Sequence, residues 1–247
     1  MHGLSPHIQD QQRSPCNQCG VREFNLCGAL IGKSPQVAPA RRSPLKQAHQ
    51  TAAARQIIYR INEQSEPAIM VCDGWACVFV VLPDGRRQIL SVLLPGDIVS
   101  GTALLKDRLA FSIQALTELR YCKFNQAELK AMVAAEPAVF DEFAKIWIAE
   151  REEADQLVTD LGRRTADERM ARFILSLMSR LGARRQVRDH CFPFPLRQRH
   201  IADATGLTPV HVSRVMSKFR KAELIEIKGR SLKVLNLAEL RRIGNFR

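Results

Sequence analysis

Hydrophobic and polar positions change their period twice along the chain. From about residue 55 to 126, short apolar runs alternate with turns: RQIIYRI, ACVFVVL, RRQILSVLL and FSIQALTELRYCKF, punctuated by Pro83-Asp84-Gly85 and Pro95-Gly96-Asp97. Runs of this length, separated by Gly and Pro turn chemistry, predict an antiparallel β-roll or jelly roll. Between 136 and 164 the period lengthens. Phe140, Phe143, Trp147, Glu150, Ala154, Leu157 and Leu161 step by three and four throughout, a heptad seam with one acidic member. That spacing predicts a long helix paired with a partner helix, part of its face packing on its own roll. Helical patterning resumes from Ala166 to Met178.

Residues 196–221 read LRQRHIADATGLTPVHVSRVMSKFRK. Ile201, Ala202 and Leu207 give a short amphipathic helix, and Gly206 supplies a tight turn. Thr208 is a good N-cap and Pro209 suits the first helical position, where its missing N–H costs nothing. The next helix buries Val212, Val215, Met216 and Phe219, leaving His211, Ser213, Arg214, Ser217 and Lys218 outward. Helix, glycine turn and a second helix with polar and basic residues near its start is the geometry that enters the DNA major groove. The following LIEIKGRSLKVLN predicts a hairpin wing whose Lys228-Gly229-Arg230 tip can lie on phosphates. The expected organisation is an α+β chain: a Cys-rich segment and linker (1–50), a β-roll sensor (51–135), a dimerisation helix (136–164) and a winged helix-turn-helix (165–247).

Charge agrees with this division. The chain carries a formal net charge of +12, and residues 164–247 hold 19 Lys and Arg against 7 Asp and Glu. The surplus therefore lies wholly in the last third, the electrostatic footprint expected of a nucleic-acid-binding domain, with a solubilising basic surface as the alternative reading of charge alone. No apolar run approaches the roughly 20 residues of a membrane span, and the polar start MHGLSPHIQDQQRS lacks a secretory signal. A cytoplasmic location without membrane partners is expected.

Of seven cysteines, Cys16, Cys19 and Cys27 crowd into twelve residues. Thiolates in such a group ligate either an iron–sulfur cluster or structural zinc, and both ordinarily take four. Cys72 and Cys77 lie in an apolar stretch and read as core; Cys191 lies near the DNA-binding segment. In SIQALTELRYCKF, strand alternation puts Ile113, Ala115, Leu119 and Tyr121 on one face. Gln114, Glu118, Arg120 and Cys122 share the other, so Cys122 projects from a mostly polar face toward any N-terminal segment folded over the roll.

The order of β-roll, long helix and winged helix-turn-helix over about 55–240, with IADATGLT and GLTPVHVSR as its most specific pieces, resembles the CRP/FNR family of bacterial regulators. The resemblance implies a cyclic-nucleotide-binding-like roll and a homodimer that reads palindromic double-stranded DNA, with RNA polymerase as a further partner of an activator. It gives Ser213 and Arg214 the base-reading positions, Arg214 suiting a guanine edge. Val210 stands where many members carry a glutamate that reads the opposite base pair, and His211 beside it is the candidate replacement. Arg197, Ser217, Lys218, Lys228 and Arg230 complete the expected DNA-contacting set.

Cyclic-nucleotide-binding members hold phosphate with a Gly-Glu pair and an Arg followed by a small residue. Here Gly101 precedes Thr102 and Phe111 precedes Ser112, so no cyclic nucleotide is expected. The oxygen-sensing FNR branch carries three N-terminal cysteines and a fourth at the end of the roll, a position that QALTELRYC matches at Cys122. The resemblance thus implies a [4Fe–4S] cluster on Cys16, Cys19, Cys27 and Cys122, promoting dimerisation and DNA binding at low oxygen. Two other readings stand beside it. One is a regulator of this fold switched by a small ligand or by cysteine oxidation. The other is a dithiol enzyme using Cys16 and Cys19, which lacks the βαβ context such a redox pair needs.

Overall fold

The structure, a computed structural model, describes residues 26, 30, 45, 47–63, 67–99 and 108–246. The N-terminal half is a roll of two four-stranded antiparallel sheets. Its strands are β1 Gln47–Ala52, β2 Ile57–Tyr59, β3 Pro67–Asp73, β4 Ala76–Val81, β5 Arg87–Leu93, β6 Ile98–Val99, β7 Ser112–Ala115 and β8 Leu119–Asn125. They pair in the orders β1-β8-β3-β6 and β2-β7-β4-β5. Alternate side chains of each strand meet between the sheets, where Ile69, Val71, Val78, Ile113, Leu119 and Tyr121 form the interior. Each such burial stabilises the fold by about 1.5–3 kcal/mol against an exposed side chain.

The outer faces of both sheets are also apolar, and each is covered. One carries Met70, Ile98, Cys122 and Phe124, buried with Leu26, Leu30 and Leu45 from the N-terminal segment. Two helices close the same cluster, α1 Gln126–Ala135 through Leu129 and Met132, and α2 Pro137–Arg163 through Val139 and Phe143. The other outer face, with Trp75, Phe79 and Ile89, merges with the core of the C-terminal half.

That half comprises α3 Ala166–Gly182, β9 Cys191–Pro193, α4 Gln198–Thr205, α5 Pro209–Lys221, β10 Ile225–Lys228, β11 Ser231–Val234 and α6 Leu237–Gly244. A capping box opens α3: Thr165 Oγ1 accepts the Glu168 N–H while the Glu168 carboxylate accepts the Thr165 N–H. Ion pairs tie this half to the roll. Asp97, in the turn after β5, accepts from Arg180 at 2.6 Å and also pairs with Arg184, both on or beside α3. Arg87 of β5 donates to Asp203 of α4 at 2.7 Å.

Three expectations need correction. β1 falls in the presumed linker: four of its residues are exposed, so backbone pairing with β8 holds it and no apolar period marks it. β3 lies between the expected runs, while FSIQALTELRYCKF divides into two strands around residues 116–118. The face carrying Cys122 is polar only through Arg120; from Cys122 onward it is buried beneath α1 and α2. Part of the 140–161 stripe of α2 packs on its own roll. Phe143 is fully buried against its own roll and Leu161 meets the helix-turn-helix, whereas Phe140, Ile148 and Val158 stand 49%, 61% and 71% exposed.

Candidate nucleic-acid interface and cysteine site

Local chemistry fixes the helix-turn-helix. Gly206 closes α4 with a left-handed φ of +65°, a conformation that costs glycine little. Thr208 Oγ1 accepts the His211 N–H at 3.2 Å, capping α5, and Pro209 occupies its first turn. Val212, Val215, Met216 and Phe219 are buried, as the pattern requires. The opposite side of α5 presents Val210, His211, Arg214 and Lys218 to solvent, with Ser213 and Ser217 half-buried. Arg197 is exposed at the start of α4. The expected wing is present as β10 and β11, with β9 pairing alongside β11, and Lys228 and Arg230 are exposed at its tip around Gly229 at φ +60°.

Two of these cations already have carboxylate partners. Lys218 pairs with Asp167 of α3, and Lys228 with Glu226 at 2.9 Å. Exposed pairs of this kind contribute little stability, so both ammonium groups can exchange a carboxylate for a phosphate. Behind this surface lies His200, 4% exposed, whose Nδ1 accepts the Arg197 backbone N–H at 3.3 Å. Burial first, then the charges of Arg199, Arg87, Arg197 and Arg55, push its pKa down to about 4, so it is neutral at pH 7.

Residues invisible to pattern reading position this surface. Arg169 of α3 donates to the carbonyls of Leu161 at 2.9 Å, Arg164 at 2.9 Å and Thr205 at 3.3 Å. One guanidinium therefore caps the C-terminal ends of α2 and α4 together, where the helix dipole favours a cation. Only the basic character of RMAR hinted at it. Arg87 bridges Asp203 and Gln114, joining α4 to both β5 and β7.

The cysteines divide differently from expectation. Cys16, Cys19 and Cys27 lie outside the described residues, as do Gly101 and Thr102. Cys77 is fully buried beside Arg87 and Asp203, and burial pushes its thiol up to about 12. Cys122 is also fully buried, but in the cluster that contains Leu26, the chain neighbour of Cys27. Its Sγ lies 3.1 Å from Sγ of Cys72, which is half-buried rather than sealed in the core. Among the described residues, no group of three or more His, Cys, Asp or Glu side chains is arranged to hold a metal ion. Ser112, at the position of the small residue in the phosphate-binding pair, is buried, and its Oγ accepts the Ile61 N–H at 2.9 Å. Phe111 precedes it.

Comparison with known proteins agrees with this architecture. Residues 49–136 match the cyclic nucleotide-binding domain family, and residues 168–243 match the Crp-like helix-turn-helix domain family. A probable transcriptional activator of Rhizobium leguminosarum bv. viciae is 30% identical over 229 residues, 92% of each chain. The nitrogen fixation regulation protein FixK of Bradyrhizobium diazoefficiens is 28% identical over 225 residues, 91% of this chain and 92% of its own. The solved structure of FixK2 from Bradyrhizobium japonicum superposes with a TM-score of 0.72 at 26% identity, covering 81% of this chain and 98% of that one. These relatives are regulators rather than enzymes, which removes the dithiol-enzyme reading. With a roll, a long helix and a winged helix-turn-helix in this order, the chain belongs to the CRP/FNR family of DNA-binding transcription regulators.

Proposed function

We propose that this regulator is switched by oxygen through a [4Fe–4S] cluster held by Cys16, Cys19, Cys27 and Cys122. The observation that carries the reading is the burial of Cys122 in one apolar cluster with Leu26 and Leu30, the residues that bracket Cys27 in sequence. A thiolate ligand in a dry pocket, next to the segment that bears the other three cysteines, suits a soft, oxygen-labile metal group. When bound, the cluster supplies iron–sulfur bonds that oxygen dismantles.

The chain's own residues perform the recognition. Arg214 reaches a guanine edge, Ser213 and His211 read neighbouring positions, and Arg197, Ser217, Lys218, Lys228 and Arg230 hold the phosphates. Two copies place their α5 helices in successive major-groove turns of a palindromic site. The exposed Phe140, Ile148 and Val158 of α2 support pairing of the two long helices. RNA polymerase is the further partner of an activator. Protein purified without air tests the cysteine assignment. Serine at Cys16, Cys19, Cys27 or Cys122 should abolish bound iron and sulfide, while serine at Cys72, Cys77 or Cys191 should not. Full iron and sulfide in Cys122→Ser would refute the ligand set.

A further inference from the structure

We propose that Cys72 and Cys122 form a redox pair, closing a disulfide across β3 and β8 when the metal-free chain meets a hydroperoxide. Strand register brings them together. Met70 stands opposite Cys122, Val71 opposite Tyr121, and the register then shifts so that Asp73 faces Arg120. Cys72 is the additional residue of this bulge, and a bulge bends its strand and re-aims the side chain it carries. A residue two places along a regular ladder would leave its Cβ roughly 7–8 Å from that of Cys122. Here the two sulfurs are 3.1 Å apart, so a bond of about 2.05 Å needs a closing movement of only about 1 Å.

Burial divides the two roles. Cys72 is half-buried and its thiol points to the Met70 carbonyl at 3.8 Å, while Cys122 is closed off from solvent. The reachable Cys72 thiolate attacks one oxygen of hydrogen peroxide. An S–O bond forms as the O–O bond breaks, and the departing hydroxide takes a proton to become water. Cys122 sulfur then attacks Cys72 sulfur, the S–O bond breaks, and the hydroxide leaves as water with the Cys122 proton. Two thiols and one peroxide thus give one disulfide and two waters, and a dithiol reductant reverses the change. Cys77, buried with its thiol pushed up to about 12, is the inert internal comparison.

The consequence for the switch rests on the function proposed above. If Cys122 is the fourth ligand, the disulfide withdraws it from coordination, and a chain that has lost its cluster under oxidising conditions stays without one until reduced.

The test uses metal-free full-length protein, reduced, desalted under nitrogen and treated with a few equivalents of hydrogen peroxide. Alkylation and non-reducing peptide mass mapping follow. The expected main product is the Cys72–Cys122 cross-linked peptide, reversed by dithiothreitol and absent from Cys72→Ala and Cys72→Ser. Separate alkylation of both residues, or Cys122 joined to Cys16, Cys19 or Cys27 instead, overturns the pair. Iron and sulfide are measured in parallel on anaerobically purified wild type and Cys72→Ala. Equal contents support a partner that is not a ligand, and loss in Cys72→Ala alone overturns that role. A wild type without iron defeats the cluster reading, while the mapped disulfide still decides this one.

Discussion

A Cβ placed on Gly206 would lie 2.5 Å from Cδ2 of Leu161, so the turn of the helix-turn-helix sits directly on the last turn of α2. The long helix and the DNA-reading unit are thereby in mechanical register, and Arg169 adds hydrogen bonds to the ends of both α2 and α4. Gly206→Ala adds a side chain at a positive φ and a methyl group that the end of the Leu161 side chain must move aside to admit. Overpacking costs about 1–3 kcal/mol and the backbone strain about 1 kcal/mol more. The urea unfolding midpoint should fall accordingly, with weaker DNA binding. An unchanged midpoint would mean that Leu161 yields without cost.

Arg87 and Asp203 make the second junction, between β5 and α4, with side chains 19% and 24% exposed. Removing Asp203 leaves the Arg87 guanidinium without its counter-charge in a mostly dry contact, with only Gln114 still accepting from it; such a loss is about 3–5 kcal/mol when burial is complete. With a fifth of each side chain still wetted, about 2 kcal/mol is expected for Asp203→Ala. The double variant with Arg87→Ala should lose less than the sum of the single variants. Strict additivity in the unfolding free energies would show that the pair is not coupled.

Arg214 is exposed on the outward face of α5. Replacement by alanine should leave the circular dichroism spectrum unchanged and cost about 1–3 kcal/mol of sequence-specific affinity per half-site. Fluorescence anisotropy against specific and scrambled duplexes measures the difference. Equal losses on both duplexes would reassign Arg214 to the phosphates.

His200 gives the fold an acid-side weakness. Its folded pKa, about 4, is below the ordinary value of 6.5, so the unfolded chain binds the extra proton more readily. Its contribution is whole above pH 6.5 and fades as pH falls toward 4, by at most about 3 kcal/mol at 1.36 kcal/mol per unit. Protonation would also take Nδ1 from the Arg197 N–H. A plot of unfolding free energy against pH should steepen in this window and flatten in His200→Gln. Identical slopes in the two proteins would contradict the assignment.

The helix-turn-helix was legible because its determinants are local: Gly206 for the turn, Thr208 and Pro209 for the start of α5, and four apolar residues at helical spacing. Tertiary determinants were not. β1 is recognised by its ladder with β8, not by its sequence QAHQTA. Cys122 follows the strand alternation correctly, yet the face it shares with Arg120 turns apolar only because α1, α2, Leu26 and Leu30 cover it. Leu161 fits a heptad as well as it fits Gly206, and spacing alone does not choose between them. Arg169 and Cys72 act through partners distant in sequence, a carbonyl of α4 and the sulfur of β8.

The proposed switch makes DNA binding depend on an oxygen-labile cluster. Its most direct test is the affinity of one anaerobic preparation for a palindromic duplex, measured with iron and sulfide content before and after exposure to air. About four irons and four sulfides per chain are expected at the outset, with tight binding at fixed salt. Air should remove the metal and the specific affinity together. Metal-free protein that binds the duplex equally well before and after air would contradict it.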